Sequence, residues 1–456
     1  MIRFESFEKM ISYYALNCPD HIAFLYDDDG RKSCTFKQLY ERVINRAMEF
    51  KDSEKTCIGI LADGSFECVV NIFAANIAGL QIVIFDGNTP ISILQTLIPY
   101  TDIDVMWGEE EIEKALKPFL TTGVSEGKDK ILFFTSGTTD RSKAVVLTGR
   151  SLCQSAYNGG ALLPLCHEDI LMCMLPLAHV FGFVCGLLWG LSFGASIALG
   201  RGVRHYVDDL SFYQPTVLSA VPTLLEFLLK HGLINSELSL ILVGAGQCSP
   251  ELLKAASKKG LRVSFGYGLT ETSSGVALSI GEDPYAMDIC PDDTILLGDD
   301  GEILIKAPTC MMKEYYKHPQ DTEAVLVKGI LYTGDLGWFD EEGKLHVTGR
   351  KKEILVLDDG TKIYLPEYEA VITRALETTE LAVILKNSRV WLVYYGEKDR
   401  QDLWKLLRPV MENYPRNQQV FDIIIVDTPL PRTATGKIRR WKLEKDVETV
   451  DIGGHR

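Results

Sequence analysis

Residues 130–143, with the sequence KILFFTSGTTDRSK, join a short apolar run to a loop of small polar residues. The run 130–134 is typical of a buried strand in an α/β sheet. The loop 135–143 combines hydroxyl side chains, one glycine and one lysine. Hydroxyls and backbone N–H groups donate hydrogen bonds to an oxyanion, and a lysine neutralises its charge. The stretch therefore predicts a strand followed by either a phosphate-binding loop or an ordinary turn, and it lacks the GxxxxGK[ST] spacing of nucleotide kinases.

Short apolar runs alternate with helix-length segments on both sides of this loop. Residues 66–78 have the length of a helix and lie between two such runs. The predicted strands are residues 57–61, 82–85, 130–134, 238–243 and 262–265. This alternation of strands and helices predicts an α/β architecture.

Two of these runs end in glycine-rich segments. Gly244-Ala245-Gly246 follows the run 238–243, and Gly266-Tyr267-Gly268 follows the run 262–265. Ligands of open α/β sheets bind beyond the carboxyl ends of the strands. We therefore expect both segments to be loops that face one crevice together with the loop 135–143.

The sequence changes character beyond about residue 290. Short alternating runs at 301–305 and 343–347, bounded by Asp and Gly, predict antiparallel strands. A compact α+β pattern then follows Arg350, with predicted helices at 367–376 and 401–412 and predicted strands at 382–385, 390–395 and 421–426. We predict a large N-terminal domain over residues 1–351 and a small C-terminal domain over residues 352–456.

The composition excludes several classes of protein. The chain has 456 residues, of which 46% are hydrophobic and 24% charged, and its formal net charge is −15. This length predicts two or three domains. Because the acidic balance repels nucleic acids and anionic membranes, nonspecific binding to either is excluded. The N-terminal sequence MIRFESFEKM lacks the basic segment and apolar run of a secretory signal, which predicts a cytoplasmic protein.

The apolar stretch at residues 180–199 is long enough to raise the question of a membrane span. Glycines at four-residue intervals favour a buried segment, so we expect no stable membrane insertion. The eleven cysteines form no CxxC pair and no Cys/His metal pattern. This usage predicts reduced thiols and no structural zinc.

Further segments carry side chains suited to a nucleotide site. Residues 266–272 combine an aromatic ring, a hydroxyl and a carboxylate. Tyr332-Thr333-Gly334-Asp335 offers an acid that can accept hydrogen bonds from both hydroxyls of a ribose. Residues 349–352 supply cations, and residues 431–437 form a glycine-containing loop that ends in Lys437.

Each of these residues also has a purely structural interpretation. Asp335 can cap its turn, and Glu271 can be an acid that the dipole favours at a helix start. The cations of residues 349–352 can be a solvated basic run, and Lys437 can belong to an exposed basic strip. The residues taken singly leave these alternatives open.

Taken in order, the five segments resemble the signature of the adenylate-forming superfamily, which comprises acyl-CoA synthetases, free-standing adenylation domains and firefly-type luciferases. The resemblance extends from Phe66 to Lys437. It implies a large N-terminal α/β domain of several subdomains and a small mobile C-terminal α+β domain. It also implies a ligase that uses ATP and Mg²⁺ to convert a carboxylic acid into its acyl-adenylate, with release of pyrophosphate.

The resemblance assigns roles to the matched residues. Lys437 would bridge the substrate carboxylate and the α-phosphate of ATP, Thr270 would contact that phosphate, and Glu271 would bind Mg²⁺. Asp335 would bind the ribose with help from Arg350. The other nucleotide-binding residues would contact the phosphates or the adenine, and they are Thr135, Ser136, Gly137, Thr138, Thr139, Lys143, Gly244, Ala245, Gly246, Gly266, Tyr267 and Gly268.

The phosphate loop departs from the family pattern at one position. Asp140 stands where relatives carry glycine, and its carboxylate adds repulsion next to a triphosphate. Aspartate tolerates left-handed backbone better than most residues. We therefore expect activity to survive with a weakened affinity for ATP.

The segment His179-Val180-Phe181-Gly182 resembles the acyl-pocket region of fatty- and aryl-acid synthetases. His179, Phe181 and Gly182 would accordingly line the acyl pocket, although a single histidine can also be an ordinary core residue. Relatives that activate amino acids carry an acid shortly after this point, whereas this chain has Phe183 and Val184. We expect an apolar substrate, either a fatty or an aromatic acid.

The acceptor of the acyl group is predicted to be a pantetheine thiol. Residues 349–369 resemble the segment that lines the pantetheine tunnel of relatives after the C-terminal domain rotates about its hinge, here Lys352. That match favours coenzyme A, and an acyl carrier protein with the same arm is the alternative. A luciferase-like oxygenase and a non-catalytic nucleotide-binding protein remain as rival functions.

Overall fold

The computed structural model describes residues 2–121, 129–135, 143–202, 205–246, 248–432 and 438–448. These residues form two compact units. The first unit contains the described chain up to Thr135, then Lys143–Thr333 and Trp338–Val347. The second unit contains Gly334–Gly337 and the described chain from Thr348 onward.

Several α-helices begin at a residue whose side chain caps the first turn. In the first buried helix, the Ser65 side chain accepts a hydrogen bond from the Cys68 amide, and Gly79 ends the helix with φ +85°. The helices within the described residues are α1 Phe7–Asn17, α2 Phe36–Asp52, α3 Phe66–Ala78, α4 Ile91–Thr101, α5 Glu110–Leu116, α6 Gly149–Leu162, α7 Trp189–Phe193, α8 Tyr206–Tyr213, α9 Pro222–Lys230, α10 Pro250–Ser257, α11 Pro319–Val325, α12 Leu365–Leu376, α13 Arg400–Met411 and α14 Arg440–Glu448.

The β-strands follow the apolar runs of the sequence. The strands within the described residues are β1 Ile22–Asp27, β2 Arg31–Thr35, β3 Cys57–Ala62, β4 Gln81–Asp86, β5 Val105–Trp107, β6 Ile131–Phe134, β7 Ala144–Leu147, β8 Ile170–Cys173, β9 Ser196–Leu199, β10 Val217–Ala220, β11 Leu240–Val243, β12 Arg262–Leu269, β13 Ser274–Leu278, β14 Asp288–Ile289, β15 Thr294–Leu297, β16 Glu302–Lys306, β17 Glu314–Tyr315, β18 Leu326–Val327, β19 Ile330–Phe339, β20 Leu345–Arg350, β21 Ile354–Val356, β22 Lys362–Tyr364, β23 Leu381–Lys386, β24 Arg389–Tyr395 and β25 Asp422–Val426.

Two large sheets organise the first unit. One has nine strands in the order β14-β13-β12-β11-β10-β8-β9-β1-β2, and the other has six in the order β17-β7-β6-β4-β3-β5. Strands β8 to β12 pair in parallel, as do β3 to β6, and all of these strands except β5 and β12 are largely buried. A third sheet has the order β15-β16-β19-β18, with β20 paired to β19. The predicted α/β architecture is confirmed.

Strand β12 corrects one expectation. Gly266-Tyr267-Gly268, predicted as a loop, lies inside this strand, which pairs in parallel with β11 as far as Phe265 and antiparallel with β13 from Gly266 onward. The returning strand β13 supplies the hydrogen-bond partners that keep the segment extended. A Cβ added at Gly268 would lie 1.9 Å from the Ser274 carbonyl oxygen, so only glycine permits this pairing.

A second expectation is also corrected. Tyr332-Thr333-Gly334-Asp335, predicted as a turn, lies within the ten-residue strand β19. Gly334 has φ +70°, a value that turns and strand irregularities share. The glycine therefore marks an irregularity in a strand, and local sequence does not separate the two cases.

The apolar stretch 180–199 is a buried packing element. It forms a π-helical segment, Phe181–Leu188, then α7 and β9. A Cβ at Gly190 would lie 2.5 Å from Ile197 Cδ1, so this glycine lets the helix approach the sheet, as the glycine spacing predicted. Within the described chain, no helix combines the length and apolarity needed to cross a bilayer.

The second unit has the predicted α+β pattern. Its three-stranded sheet has the order β23-β24-β25, with β23 and β24 antiparallel and β24 and β25 parallel. Strands β21 and β22 form a separate antiparallel pair. Helices α12 and α13 contribute Ile372 and Leu407 to a core that also contains Leu392 of β24.

Candidate active site

The hairpin of β6 and β7 closes the base of the hydroxyl-rich loop. Phe134 pairs with Ala144, the Thr135 amide donates to the Lys143 carbonyl oxygen at 2.9 Å, and the Lys143 amide donates to Thr135 Oγ1 at 3.4 Å. Thr135 and Lys143 therefore stand at the two ends of the loop. The predicted residues Ser136, Gly137, Thr138 and Thr139, together with Asp140, lie outside the described residues.

Strand β12 ends in a short 3₁₀ turn, Thr270–Thr272. Buried hydroxyls hold this turn in place, since Thr272 Oγ1 donates to the Ser274 carbonyl oxygen at 2.8 Å and Ser273 Oγ donates to that of Cys310 at 2.7 Å. Thr270 and Glu271 are only half-buried on the same turn. The turn thus presents one hydroxyl and one carboxylate on a fixed backbone.

Glu271 and Lys143 share a partner that the motifs did not reveal. The Tyr315 hydroxyl donates to Glu271 Oε1 at 2.6 Å, and Lys143 Nζ lies 4.7 Å from the centroid of the Tyr315 ring. A cation at that distance is attracted to the ring face. The acid predicted to bind the metal and the lysine predicted to bind phosphate therefore contact one aromatic side chain.

Lys143 also forms an ion pair beyond the ring. Its Nζ lies 3.1 Å from Asp321 Oδ2, in the first turn of α11. The His318 ring nitrogen lies 3.5 Å from the same carboxylate oxygen. The Asp321 carboxylate therefore holds the Lys143 ammonium directly before the start of β7.

Glu271 is the carboxylate predicted to bind the metal. The described part of the chain contains no group of three or more His, Cys, Asp or Glu able to hold a metal ion. Mg²⁺ commonly takes one or two protein carboxylates and completes its shell with water and substrate phosphates. Because Tyr315 engages Oε1 of Glu271, the other oxygen remains for a metal, and the residues fit Mg²⁺ brought by a nucleotide.

Phe181, predicted to line the acyl pocket, lies next to Gly244 and Gly266, which are predicted to bind the nucleotide. A Cβ added at Gly244, directly after β11, would lie 3.0 Å from the Phe181 ring and 3.6 Å from the Gly266 carbonyl oxygen. Ala245 follows in left-handed conformation with φ +60°. Gly244, Gly266 and Phe181 are therefore neighbours, as expected for segments that face one crevice.

His179 and Gly182 shape the start of the same helical segment. A Cβ at Gly182 would lie 2.3 Å from the Pro176 carbonyl oxygen, so this position requires glycine. His179 is half-buried, and its backbone oxygen accepts a hydrogen bond from the Phe183 amide at 2.9 Å. Burial lowers the pKa of His179, while the Asp86 charge acts in the opposite direction. A neutral imidazole in this position suits an apolar wall better than an anion site.

Asp335 and Arg350 pair within the second unit. The Arg350 Nε donates to Asp335 Oδ1 at 2.7 Å. The Asp335 residue is 3% exposed, whereas half of the Arg350 side chain is exposed. A carboxylate that pairs with a guanidinium through one oxygen can still accept hydrogen bonds.

The C-terminal residues with predicted roles are only partly described. Lys352 is exposed in the 3₁₀ turn Lys351–Glu353 that follows β20. Lys437 lies outside the described residues. On either side of its loop, Arg432 and Ile438 form a β-bridge, and Arg432 pairs with Glu380 at 3.0 Å.

Sequence reasoning missed Tyr315 and Asp321. Tyr315 belongs to the segment MKEYYK, where two adjacent tyrosines look alike in the sequence. Pairing of Tyr315 with Val145 in β7 sets the tyrosine beside Lys143. A polar aromatic residue that follows a predicted strand pair is too weak a signal to select it.

Comparisons with known proteins point to one family. The sequence profile of the AMP-binding enzyme family matches residues 128–316. The 2-succinylbenzoate–CoA ligase of Listeria monocytogenes serovar 1/2a is 30% identical over 336 residues, which are 69% of this chain and 69% of that one. The ligase of the same name from Bacillus cytotoxicus is 26% identical over 495 residues and covers 97% of this chain and 99% of that one.

The fold comparison extends over nearly the whole chain. The O-succinylbenzoate coenzyme A synthetase of Bacillus subtilis, in complex with ATP and a magnesium ion, superposes with a TM-score of 0.79 at 23% identity. The match covers 95% of this chain and 99% of that one. At this identity the similarity establishes a shared fold.

The match to the AMP-binding enzyme profile and the 30% identity to a CoA ligase over two thirds of the chain define a ligase that activates acids with a nucleotide. The chain belongs to the family of AMP-binding enzymes, the adenylate-forming ligases. It is an AMP-forming ligase, which converts a carboxylic acid into its acyl-adenylate at the expense of ATP and then transfers the acyl group to a thiol. The predicted family and reaction type are confirmed.

Proposed function

We propose that the ligase activates a carboxylic acid that carries an aromatic ring, as 2-succinylbenzoate does, and transfers its acyl group to coenzyme A. The observation that supports this proposal is that the Phe181 ring lies 3.0 Å from a Cβ built at Gly244, so that the ring would form an aromatic wall of the proposed acyl pocket. A flat ring packs well against another aromatic face. The two relatives described above are 2-succinylbenzoate–CoA ligases, which favours an aromatic acid over a fatty one.

The adenylation step brings two anions together. A carboxylate attacks the α-phosphate, so cations and hydrogen-bond donors must neutralise the charge that develops. We assign Lys143 and the loop 135–143 to the β- and γ-phosphates, Thr270 to the α-phosphate and Glu271 to Mg²⁺. When bound, Mg²⁺ would shield the phosphates and make pyrophosphate a competent leaving group.

The remaining roles follow the same logic. Tyr267 would stack on adenine beside the backbone of Gly244–Gly246. Gly268 would leave the backbone next to Tyr267 open to the nucleotide. Asp335, held in place by its hydrogen bond from Arg350, would accept hydrogen bonds from the ribose hydroxyls. Lys437 would bridge the acid and the α-phosphate in the first half-reaction.

The acceptor and the compartment complete the proposal. Coenzyme A is the proposed acceptor, with a change of orientation at Lys352 between the two half-reactions. An acyl carrier protein offers the same pantetheine arm and is distinguished by experiment. All eleven cysteines are free thiols, which suits a reducing cytoplasm.

ATP–pyrophosphate exchange over a panel of acids tests the first half-reaction. The panel contains 2-succinylbenzoate, benzoate, a medium-chain fatty acid and an amino acid. We expect 2-succinylbenzoate and related aryl acids to support exchange with the highest kcat/KM. Faster exchange with the fatty acid or the amino acid would contradict the proposed substrate class.

Product analysis tests the second half-reaction. With the best acid, coenzyme A and a phosphopantetheinylated carrier protein are supplied separately, and the thioester is quantified by mass spectrometry. Preferred loading of the carrier protein would contradict coenzyme A as acceptor. Oxygen consumption would contradict the ligase and favour a luciferase-like oxygenase. A lack of exchange with every acid would favour a non-catalytic nucleotide-binding protein.

A further inference from the structure

Tyr315 is more deeply buried than either charged residue that it contacts. Its residue is 6% exposed, whereas Glu271 and Lys143 are half-buried. Its amide donates to Thr322 Oγ1 at 2.9 Å, and β17 pairs Tyr315 with Val145 of β7. The backbone and ring of Tyr315 are thus fixed by both the six-stranded sheet and α11.

The same segment is tied to the turn that carries Glu271. The Met312 amide donates to the Glu271 carbonyl oxygen at 2.7 Å, just before β17 begins. The Tyr316 amide donates to the Ala144 carbonyl oxygen at 2.8 Å, next to Lys143. Two backbone contacts therefore link the chain around Tyr315 to the segments that bear its two partners.

The two side-chain contacts of Tyr315 act on different charges. The hydroxyl donates to Oε1 of Glu271, which fixes the rotation of the carboxylate and directs its other oxygen away from the phenol. The ring face attracts the Lys143 ammonium. Substitution of a residue that orients a metal ligand typically costs 10–100-fold in metal affinity or activity.

We infer that Tyr315 is a positioning residue that orients Glu271 toward Mg²⁺ and holds Lys143 toward the nucleotide phosphates. The inference rests on the proposed roles of Glu271 and Lys143. Tyr315 touches neither nucleotide nor metal in this role, and it acts through the two residues that do. The hydroxyl and the ring make separable contributions, one to the metal and one to ATP.

Two substitutions separate these contributions. Tyr315→Phe removes the hydrogen bond to Glu271 and keeps the ring beneath Lys143. We expect the Mg²⁺ concentration for half-maximal exchange to rise about 10-fold, with a smaller change in kcat at saturating Mg²⁺. Tyr315→Leu also removes the ring, and we expect the KM for ATP to rise about a further 3-fold.

The adjacent tyrosine provides a matched control. The Tyr316 hydroxyl donates to Asp102 Oδ2 at 2.7 Å, so Tyr316→Phe also removes a phenol–carboxylate hydrogen bond from this segment. Asp102 has no assigned role in the site. We expect Tyr316→Phe to lower Tm about as much as Tyr315→Phe while leaving the Mg²⁺ dependence within 2-fold of wild type.

Direct binding keeps this inference independent of the substrate proposal. Calorimetric titration of ATP in the presence of Mg²⁺ or of EDTA is carried out on wild type, Tyr315→Phe and Tyr316→Phe without any acid. We expect only Tyr315→Phe to lose most of the Mg²⁺-dependent gain in ATP affinity. If no acid supports exchange, the proposed function fails and this titration still decides the role of Tyr315.

Two results would overturn the role of Tyr315. One is a Mg²⁺ dependence of Tyr315→Phe within 2-fold of wild type in both assays. The other is an equal shift in Tyr316→Phe, which would assign the effect to the packing of the segment.

Discussion

Glu271 and Lys143 carry opposite charges, but the structure, which describes both residues, shows no ion pair between them. Glu271 and Lys143 both contact Tyr315, and Lys143 forms its ion pair with Asp321 instead of Glu271. A direct pair between Lys143 and Glu271 would neutralise the two charges that a metal nucleotide needs. With the proposed roles, the observed arrangement would leave Glu271 available to a cation and would let Lys143 exchange Asp321 for phosphate.

Glu271→Gln isolates the charge at the proposed metal position. The amide keeps an acceptor for the Tyr315 hydroxyl, so we expect little change in Tm. We expect kcat/KM for ATP to fall about 10²–10³-fold, because the anion that would bind Mg²⁺ is lost. ATP–pyrophosphate exchange and differential scanning fluorimetry measure the two effects.

The exposed Glu282 supplies the control for that charge change. Glu282→Gln alters the net charge equally and should leave kcat/KM within 2-fold of wild type. Activity of Glu271→Gln within 10-fold of wild type would remove Glu271 from the metal site.

Asp293 couples stability to pH outside the site. Its Oδ2 accepts from Asn158 Nδ2 at 2.8 Å, and its buried Oδ1 has no hydrogen-bond partner among the described residues. Burial, with a smaller effect of the Asp292 charge, raises the pKa of Asp293 to about 7. An unfolded aspartate has a pKa of about 3.9. Between about pH 4 and pH 7 the folded state therefore binds more protons at this site, and its contribution to stability falls as pH rises.

Asp293→Asn should remove this pH dependence. We expect the Tm of the variant, relative to wild type, to rise by a few degrees between pH 4 and pH 8, because ionisation no longer penalises the folded state. Scanning fluorimetry across that range measures the difference. The exposed Asp299, changed to Asn, should show no such trend, and a parallel trend in both variants would contradict the assignment to Asp293.

At the scale of elements, β12 changes partners along its length. Its first half pairs in parallel with β11 and its second half antiparallel with β13, and the turn that carries Thr270 and Glu271 joins β12 to β13. The geometry of this turn depends on the close approach at Gly268. The element therefore links sheet packing directly to the position of two proposed site residues.

Gly268→Ala tests that link. An added methyl would lie 1.9 Å from the Ser274 carbonyl oxygen, so β12 and β13 must separate next to the turn. We expect a loss of at least about 1–3 kcal/mol in stability, the usual cost of overpacking, and a fall in exchange activity of at least about 10-fold. Chemical denaturation and the exchange assay measure these effects.

Gly281→Ala is the matched control beyond the end of β13. A Cβ there would meet nothing within 4 Å. It should leave stability and activity close to wild type. Equal behaviour of the two variants would show that the β12–β13 approach does not set the turn.

At the scale of the whole molecule, the two half-reactions must take place at one active site in turn. The proposed solution is a change in the orientation of the C-terminal domain about Lys352. Lys437 would serve adenylation alone, and residues 349–369 would line the path of the thiol.

Lys437→Ala should separate the half-reactions. We expect adenylation to fall at least about 10²-fold, because a cation at the reacting carboxylate is lost. Preformed acyl-adenylate should still be converted to the thioester at a rate close to wild type. Lys442 belongs to the same basic strip of the sequence and lies on α14. Lys442→Ala is the control and should retain both reactions. Loss of both half-reactions in Lys437→Ala would count against the rotation.

Local sequence was sufficient for most elements of the fold. The helix predicted at 66–78 is observed as Phe66–Ala78, because Ser65 caps its start and Gly79 ends it. The strand predicted at 57–61 is observed as Cys57–Ala62, because a run buried on both faces must be continuously apolar. The ordered motifs likewise established the family, since each motif is a short contiguous segment.

Residues 130–143 show how much of the structure and function the sequence alone determines. Their apolar run and hydroxyl-rich loop determined a strand, a loop and, with the other motifs, an adenylate-forming ligase. Only the tertiary structure made Gly266–Gly268 a strand and joined Lys143 to Glu271 through Tyr315. Tyr315 and Glu271 are 44 residues apart in the chain, and Tyr315 meets Lys143 through the β17–β7 pairing. The path of the chain decides such contacts, because spacing along the sequence carries no information about which distant side chains meet.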